Sequence, residues 1–337
     1  MEAMKYLIKR LFYGVFVLIG LSILMFFLVR VMPGDPLRLV LGPMATEDQV
    51  ELLKHQMGLD RPIHIQYIKY IESICFKGEL GMSLVERRDV SDIIADKLPA
   101  TVELVLVAVF IAVVVAIPLG VAAATHRNGL IDYLGRILAL SGVSLPQFWV
   151  CLLFQLAFGF FLNLLPLTGR ITGSPPIHIT GLYLFDSIVT LNFRAFADSA
   201  AHIIGPAFVL SLSPLANVTR LVRASMIDEL HKDYALMSKA SGIPEILIHY
   251  KYVLKNAFSS ALTMIGFLIP LMIGSAFVVE TVFAWPGIAR FGADSIINND
   301  FNGVVGVALV VGASFVIINI IVDALYAVLD PRIRLER

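Results

Sequence analysis

Side chains able to carry chemistry are few in this sequence, and their spacing excludes most of it. The seven histidines, at positions 55, 64, 126, 178, 202, 231 and 249, never fall four apart, so no helix face offers paired imidazoles to a metal. His202, at the edge of an apolar stretch, reads as an interfacial hydrogen-bonding residue instead. Cys75 and Cys151 are too few for a disulfide framework or a cysteine metal cluster. No Gly-x-x-x-x-Gly-Lys-Ser/Thr loop exists to cradle ATP phosphates, and there is no His-Glu-x-x-His, Gly-x-Ser-x-Gly or Cys-x-x-Cys string. Ser144, Ser275 and Ser314 lie in apolar sequence without an identifiable base, so an intramembrane hydrolase has no machinery here. The chain is expected to be non-catalytic, with no cofactor and no metal of its own.

What remains is neutral polarity within apolar runs. Ser141, Gln147, Ser211, Asn217 and Ser275 are the candidate pathway-lining residues, with Ser144, Gln155, Ser213, Thr263, Ser314 and Asn319 of the same character. Such residues either let helices pack closely or line a wide, hydrated, weakly selective path. Ionisable groups are confined to Glu103 and Glu280, near expected span ends, and Asp323 in the last span. That is too little for the buried relay of a proton- or sodium-coupled carrier. A passive path needs its energy from elsewhere. The competing reading from another class is a self-sufficient secondary carrier or channel.

The elements that must position these residues follow from composition. Of 337 residues 58% are hydrophobic and 15% charged, against roughly 25% charged in a soluble domain, and the mean hydropathy is +0.83. This predicts an all-α integral membrane protein. A formal net charge of zero removes the basic face that nucleic acid would require. A bilayer core needs about 20 apolar residues per helix. Six stretches qualify: residues 11–29, 101–124, 137–162, 202–220, 257–283 and 304–328, the fourth weakened by Ser211, Ser213, Asn217 and Thr219. The runs are too long for a strand barrel. Residues 30–33 are no signal-peptide cleavage site, so the first stretch is expected to be a retained helix.

Orientation follows from basic residues in the short loops. Lys5, Lys9 and Arg10 precede the first span; Arg127 and Arg136 follow the second. Arg220, Arg223, Lys232, Lys239, Lys251 and Lys255 follow the fourth, and Arg332, Arg334 and Arg337 end the chain. The opposite short loops hold only Arg170, Arg194 and Arg290, so both termini are expected to be cytoplasmic. The organisation is then an N-terminus and first helix (1–31), an outside loop (32–98), a core of five helices (99–328) with a cytoplasmic loop at 221–256, and a tail (329–337).

The outside loop is patterned. Thr46-Glu47-Asp48-Gln49 fits a capping box, with Val50, Leu53 and Met57 following and Gly58 as a stop. Pro62 can open a second helix carrying Tyr67, Ile68, Ile71 and Cys75 and ending at Gly78. This predicts a small helical cap, its apolar stripe either packed on the chain's own helices or docking a partner. In the cytoplasmic loop, Asp233 can cap a short helix through Tyr234, Ser238, Lys239, Ala240 and Ser241. Gly242 stands in the left-handed terminating position and Pro244 opens the next helix. Helix, glycine corner, helix gives a compact knuckle; the plainer alternative is an ordinary basic loop.

Nearly end to end the chain resembles the inner-membrane permease subunits of ATP-binding-cassette importers for dipeptides, oligopeptides and nickel. The signatures are Pro33-Gly34-Asp35-Pro36, Gly58-Leu59-Asp60-Arg61-Pro62, Gly78-Glu79-Leu80-Gly81-Met82-Ser83 and Leu98-Pro99-Ala100-Thr101-Val102-Glu103-Leu104. Further on come Glu280-Thr281-Val282-Phe283-Ala284-Trp285-Pro286-Gly287, Asn319-Ile320-Ile321-Val322-Asp323 with Tyr326, and Asp330-Pro331-Arg332. The knuckle is similar to the family's coupling loop, Glu-Ala-Ala, three residues, then Gly. Gly242 and Asp233-Tyr234 match, whereas Leu236, Met237 and Ser238 depart from the Glu-Ala-Ala positions.

The resemblance implies a type I importer permease fold in a bacterial inner (plasma) membrane. It implies a second homologous permease subunit and two cytoplasmic ATPase subunits that bind ATP and Mg and grip the coupling loops. A periplasmic or lipid-anchored solute-binding protein would complete the assembly. The implied solute is a dipeptide, oligopeptide or peptide-like molecule, the long 163–201 loop resembling the peptide-type members; a nickel or metal-chelate importer of the same family is the alternative. Asp323 and Arg332 are expected to support packing or assembly.

Overall fold

The computed structural model describes residues 2–31, 46–56 and 60–329. The expectations at Pro33–Pro36, Gly58-Leu59 and Asp330–Arg332 lie outside the described residues, as do the side chains of Cys75, Ser141 and Asp323. In chain order the helices are α1 (Glu2–Val31), α2 (Glu47–Gln56), α3 (Ile63–Glu72), α4 (Val90–Thr125), α5 (Leu130–Ser144), α6 (Gln147–Phe154) and α7 (Tyr183–Val189). They continue as α8 (Phe193–Leu230), α9 (Asp233–Ala240), α10 (Glu245–Leu247), α11 (Leu254–Val282), α12 (Ile288–Ile297) and α13 (Phe301–Leu329). Wider helical turns at Ser73–Lys77, Gln155–Phe161 and Ile248–Val253 extend α3 and α6 and join α10 to α11. Among the described residues the only β-type pairing is the isolated Met82–Asp89 bridge.

Five segments are long and apolar enough to cross a membrane: Lys9–Leu28, Val90–Thr125, Phe193–Leu230, Glu245–Val282 and Phe301–Val322. The expected third span, 137–162, is corrected. It is two pieces, α5 and α6, with only Gln147–Phe161 forming a shorter apolar helix. Pro146 divides them. Its ring disfavours the helical conformation at Leu145 and removes an amide donor, so the helix ends and a new one starts with Pro146 at ψ 128°.

The chain forms two compact units. The first comprises residues up to Leu98 together with Gly287–Val316. In it, Gln49 Oε1 accepts the Thr46 N–H at 3.1 Å, one arm of the expected capping box at the start of α2. Helix α3 opens after Pro62 and its extension stops at Gly78, φ +69°. Tyr67 turns its ring edge to Phe26 of α1, 5.3 Å between centroids, and its hydroxyl lies 2.8 Å from that of Ser22. The cap therefore packs on the chain's own first helix. A separate core joins Val90, Ile93 and Ile94 to Ile288, Phe291 and Val307. Above it Ser83 donates to Asp300, and Asn302 donates to the Met82 carbonyl at 2.9 Å.

The second unit comprises Pro99–Pro286 and the chain from Ile317 onward. Helix α8 is its axis and packs on α5, α6 and α11. Its modest apolarity has a structural reason: most of it faces protein rather than lipid, so small and polar residues replace large apolar ones. At Gly142 a Cβ would lie 2.8 Å from the Leu212 carbonyl oxygen, which is how closely α5 and α8 approach. The core continues through Ala112, Ala116 and Val121 of α4, Leu215, Val218, Val222 and Met226 of α8, and Ala257 and Ala261 of α11. Ala235, Ile248 and Val253 extend it to the knuckle.

Candidate functional site

The knuckle is built from the end of α8 outward. Glu229 accepts from Lys232 Nζ and from the Tyr234 hydroxyl, both at 2.6 Å, stapling the last turn of α8 to the first turn of α9. The expected cap at Asp233 is corrected. Lys232, extended at ψ 151°, holds the capping position without a side-chain acceptor, and Asp233 is the first helical residue. It keeps a dipole role there, because a carboxylate in the first turn faces the unsatisfied amides. The exposed 231–232 turn allows those amides to meet water, so no side-chain cap is forced.

Alternate sides of α9 have opposite fates. Ala235 is 2% exposed and belongs to the core, whereas Leu236 is 56% and Met237 69% exposed. Ser238 and Ser241 bond back onto the preceding turn, donating to the carbonyls of Tyr234 at 2.7 Å and Met237 at 2.9 Å. Lys239 pairs with Glu245 at 2.9 Å across the corner. Ala240 is exposed. The corner closes as the pattern predicts: Gly242 has φ +76°, its N–H donates to Lys239 O at 3.1 Å, and the Ile243 N–H donates to Ser238 O at 3.2 Å. Those two bonds define a Schellman stop, which satisfies the last carbonyls of α9 and reverses the chain. Pro244 then precedes a helical run from Glu245 into α11. The product is a short helix that presents Leu236 and Met237 outward while Ala235 anchors it.

Of the candidate pathway-lining residues, Ser211, Asn217 and Ser275 bond within their own helices. Ser211 is enclosed and donates to Phe208 O at 2.7 Å. Asn217 donates to Ser213 O and accepts from Arg220, both at 2.9 Å. Ser275 donates to Met272 O at 3.3 Å. Gln147 is half-buried at the start of α6. Among the described residues no group of His, Cys, Asp and Glu could hold a metal ion.

Sequence reasoning missed a second polar cluster, in the same unit. Arg170 pairs with Glu103 at 2.5 Å, donates to Gly181 O at 2.7 Å, and lies 3.7 Å from the centre of the Tyr183 ring. Glu103 also accepts the Leu184 N–H at 2.7 Å. The Thr101 hydroxyl donates to Glu280 at 2.6 Å, and Trp285 Nε1 donates to Ala100 O at 2.9 Å. The strings around residues 98–104 and 280–287, noticed separately, are thus one assembly. The signal in sequence was a Glu and a Thr in each string, Thr101 and Glu103 in one and Glu280 and Thr281 in the other, with Trp285 in the second, all within apolar sequence. Nearby, Asp186 accepts the N–H groups of Ile179, Thr180 and Gly181 and the Thr180 hydroxyl. Burial alone would raise its pKa; those bonds outweigh burial and hold it below the ordinary value.

Comparison with known proteins places these features in a family. The sequence model for "Binding-protein-dependent transport system inner membrane component" matches residues 116–335. Its N-terminal companion, a binding-protein-dependent transport system membrane component, matches residues 3–105. The Escherichia coli (strain K12) protein named "Probable D,D-dipeptide transport system permease protein DdpB" is 38% identical over 95% of this chain and 94% of its own length. The dipeptide transport system permease protein DppB of Alkalihalophilus pseudofirmus is 36% identical over 98% of this chain and 99% of its own. The glutathione transport system permease protein GsiC of Salmonella paratyphi A is 34% identical, again over 98% and 99%.

Proposed function

Since this chain belongs to the family of inner membrane components of binding-protein-dependent transport systems, we propose that it forms half of a translocation pathway for dipeptides, oligopeptides or peptide-like solutes. It is the permease subunit of an ATP-binding-cassette importer. ATP and Mg are bound by two cytoplasmic ATPase subunits, a second homologous permease supplies the other half of the pathway, and a solute-binding protein delivers the cargo. The basic loops put both termini in the cytoplasm. Relatives named for dipeptide and glutathione transport support the solute class.

One observation carries the coupling role: α9 holds Leu236 and Met237 out in solvent on a helix pinned by Ala235, Glu229 and the Gly242 corner. An ATPase subunit that binds α9 moves α8 and α11 with it, since both ends of the knuckle are continuous with those helices. Asp233, Tyr234, Ser238, Lys239, Ala240 and Gly242 are the residues of this contact or of its scaffold. Rocking of the attached helices then alternates access across the membrane.

The test is Met237→Asp in a complex reconstituted with its ATPase and binding-protein partners. Burying a carboxylate at an apolar contact is unfavourable, so the variant should release the ATPase subunits while the permease keeps its melting temperature. Normal ATPase binding and normal ATP-dependent peptide uptake in that variant would refute the assignment.

A further inference from the structure

If a push on α9 is to reorient the membrane helices, something besides apolar packing must fix their ends to one another. Asp132, in the first turn of α5, is fully enclosed. Its carboxylate accepts from Arg223 Nε at 2.6 Å and Nη2 at 2.9 Å. It also accepts from Arg136 Nε at 3.2 Å and Nη2 at 2.5 Å, and from the Asn128 N–H at 3.0 Å. Arg223 lies on α8, about two turns before that helix ends in the Glu229–Tyr234 staple. Asn128 stands in the turn between α4 and α5 with φ +63°, a conformation that asparagine tolerates better than most residues. One carboxylate therefore ties together the adjoining ends of α4, α5 and α8, all within the second unit.

Resting on the coupling role proposed for the knuckle, we propose that Asp132 is a positioning residue that passes displacement of α8 on to α5 and the α4–α5 turn. A two-pronged guanidinium–carboxylate contact fixes orientation as well as distance, which a single apolar contact does not. Arg136, one turn along from Asp132, holds the carboxylate aimed at α8. Arg223 and Arg136 keep contact with solvent, 22% and 46% exposed, and ion pairs of that kind contribute little net stability, so transmission of orientation accounts for a charge here better than stability does. Hydrogen bonds from Arg136, then from Arg223, hold the Asp132 carboxyl well below the ordinary carboxylate range, so the link stays charged at neutral pH.

The experiment uses the whole importer in proteoliposomes: both permeases, the ATPases and the binding protein, supplied with a dipeptide. The readout is peptide moved per ATP hydrolysed, normalised to assembled complex. Asp132→Asn should lower that ratio about tenfold, within the range of coupling between distinct sites. Arg223→Lys, which keeps the charge and loses the fork, should lower it less. Should Asp132→Asn fail to assemble, Arg223→Lys carries the test alone. An unchanged ratio in either assembled variant overturns the inference, even where less complex forms, because a merely structural residue would change the amount and not the ratio. If the parent complex itself shows no ATP-dependent uptake, the proposed function fails instead, so the two failures are distinguishable.

Discussion

Replacing Gly242 by valine perturbs one thing only. No heavy atom outside the neighbouring residues lies within 4 Å of a Cβ built at this position, so the new side chain meets open space. Its backbone, at φ +76°, is left-handed. A non-glycine residue held there costs about 1–2 kcal/mol, and a β-branched one sits at the upper end. The corner is closed by the Gly242 and Ile243 amide bonds to Lys239 and Ser238, so the chain can shed the strain by opening them. A cost of that size shifts the balance between closed and open corners by roughly 5–30-fold. Leu236 and Met237 then lose their fixed direction. Affinity of the detergent-solubilised permease pair for its ATPase subunits, by equilibrium binding, should fall in the order Gly242→Asn, Gly242→Ala, Gly242→Val, with asparagine nearest to the parent because it tolerates this conformation. Solute-stimulated ATP hydrolysis should follow the same order. Valine equal to glycine in both assays would refute the corner as the determinant of the contact.

Arg170→Ala should destabilise the protein by about 3–5 kcal/mol, the usual cost of leaving an enclosed partner charge uncompensated; Glu103→Gln with Arg170 retained tests the same pair from the other side, and thermal unfolding in detergent measures both. Asp186 gives a pH dependence of known sign. Its pKa in the folded chain is below the ordinary 3.8, so its stabilising contribution is complete above that value and is lost as pH falls through the lower one. Protease resistance of the 163–191 segment should therefore be flat from pH 7 to 5 and decline near pH 3. Asp186→Asn should be more easily cleaved at pH 7 and should lose part of the acid response; an acid response identical to that of the parent would contradict the assignment.

Most of the helical plan is visible in the sequence because hydropathy over 20 residues is a local property. The ends of α3 and the C-terminal stop of α9 are equally visible, since Pro62, Gly78, Gly242 and Pro244 act through backbone geometry that neighbours do not override, whereas the start of α9 is displaced from the expected cap at Asp233 to Lys232. The division of the 137–162 run is different. Pro146 is plain in the sequence, but apolarity continues on both sides of it, and a bilayer tolerates proline inside a spanning helix when other groups satisfy the backbone. Pro99, Pro118, Pro206, Pro214 and Pro270 all lie inside continuous helices here. Only tertiary context separates the two outcomes. The Glu103–Arg170 pair is a case of the same kind, because its partners are 67 positions apart and loop 163–182 has no regular period from which to count. Arg223 was legible as a charge flanking a span and orients the chain, but its meeting with Asp132, 91 positions away, was not.

Two groups of charge in the second unit bracket the later part of α4: Glu103 with Arg170 at its start, and the buried Asp132 with the part-exposed Arg136 and Arg223 beyond its end. From residue 103 to the end of α4 at Thr125 is about 33 Å of helix, roughly the apolar thickness of a bilayer. Between the groups the core is largely aliphatic, with Ala112 and Ala116 on α4 and Leu215 and Val218 on α8, interrupted by the small buried hydroxyls of Ser211 and Thr219. In that same stretch α4 carries Pro118, α8 carries Pro206 and Pro214, and α11 carries Pro270, each leaving one backbone bond unmade. Charge-assisted bonds resist reorientation because they are directional; aliphatic surfaces slide over one another at lower cost, and a helix short of a hydrogen bond bends there first. Stiff ends joined by a compliant middle are what a subunit needs if a displacement applied at one face is to arrive at the other as a change of tilt rather than as local deformation.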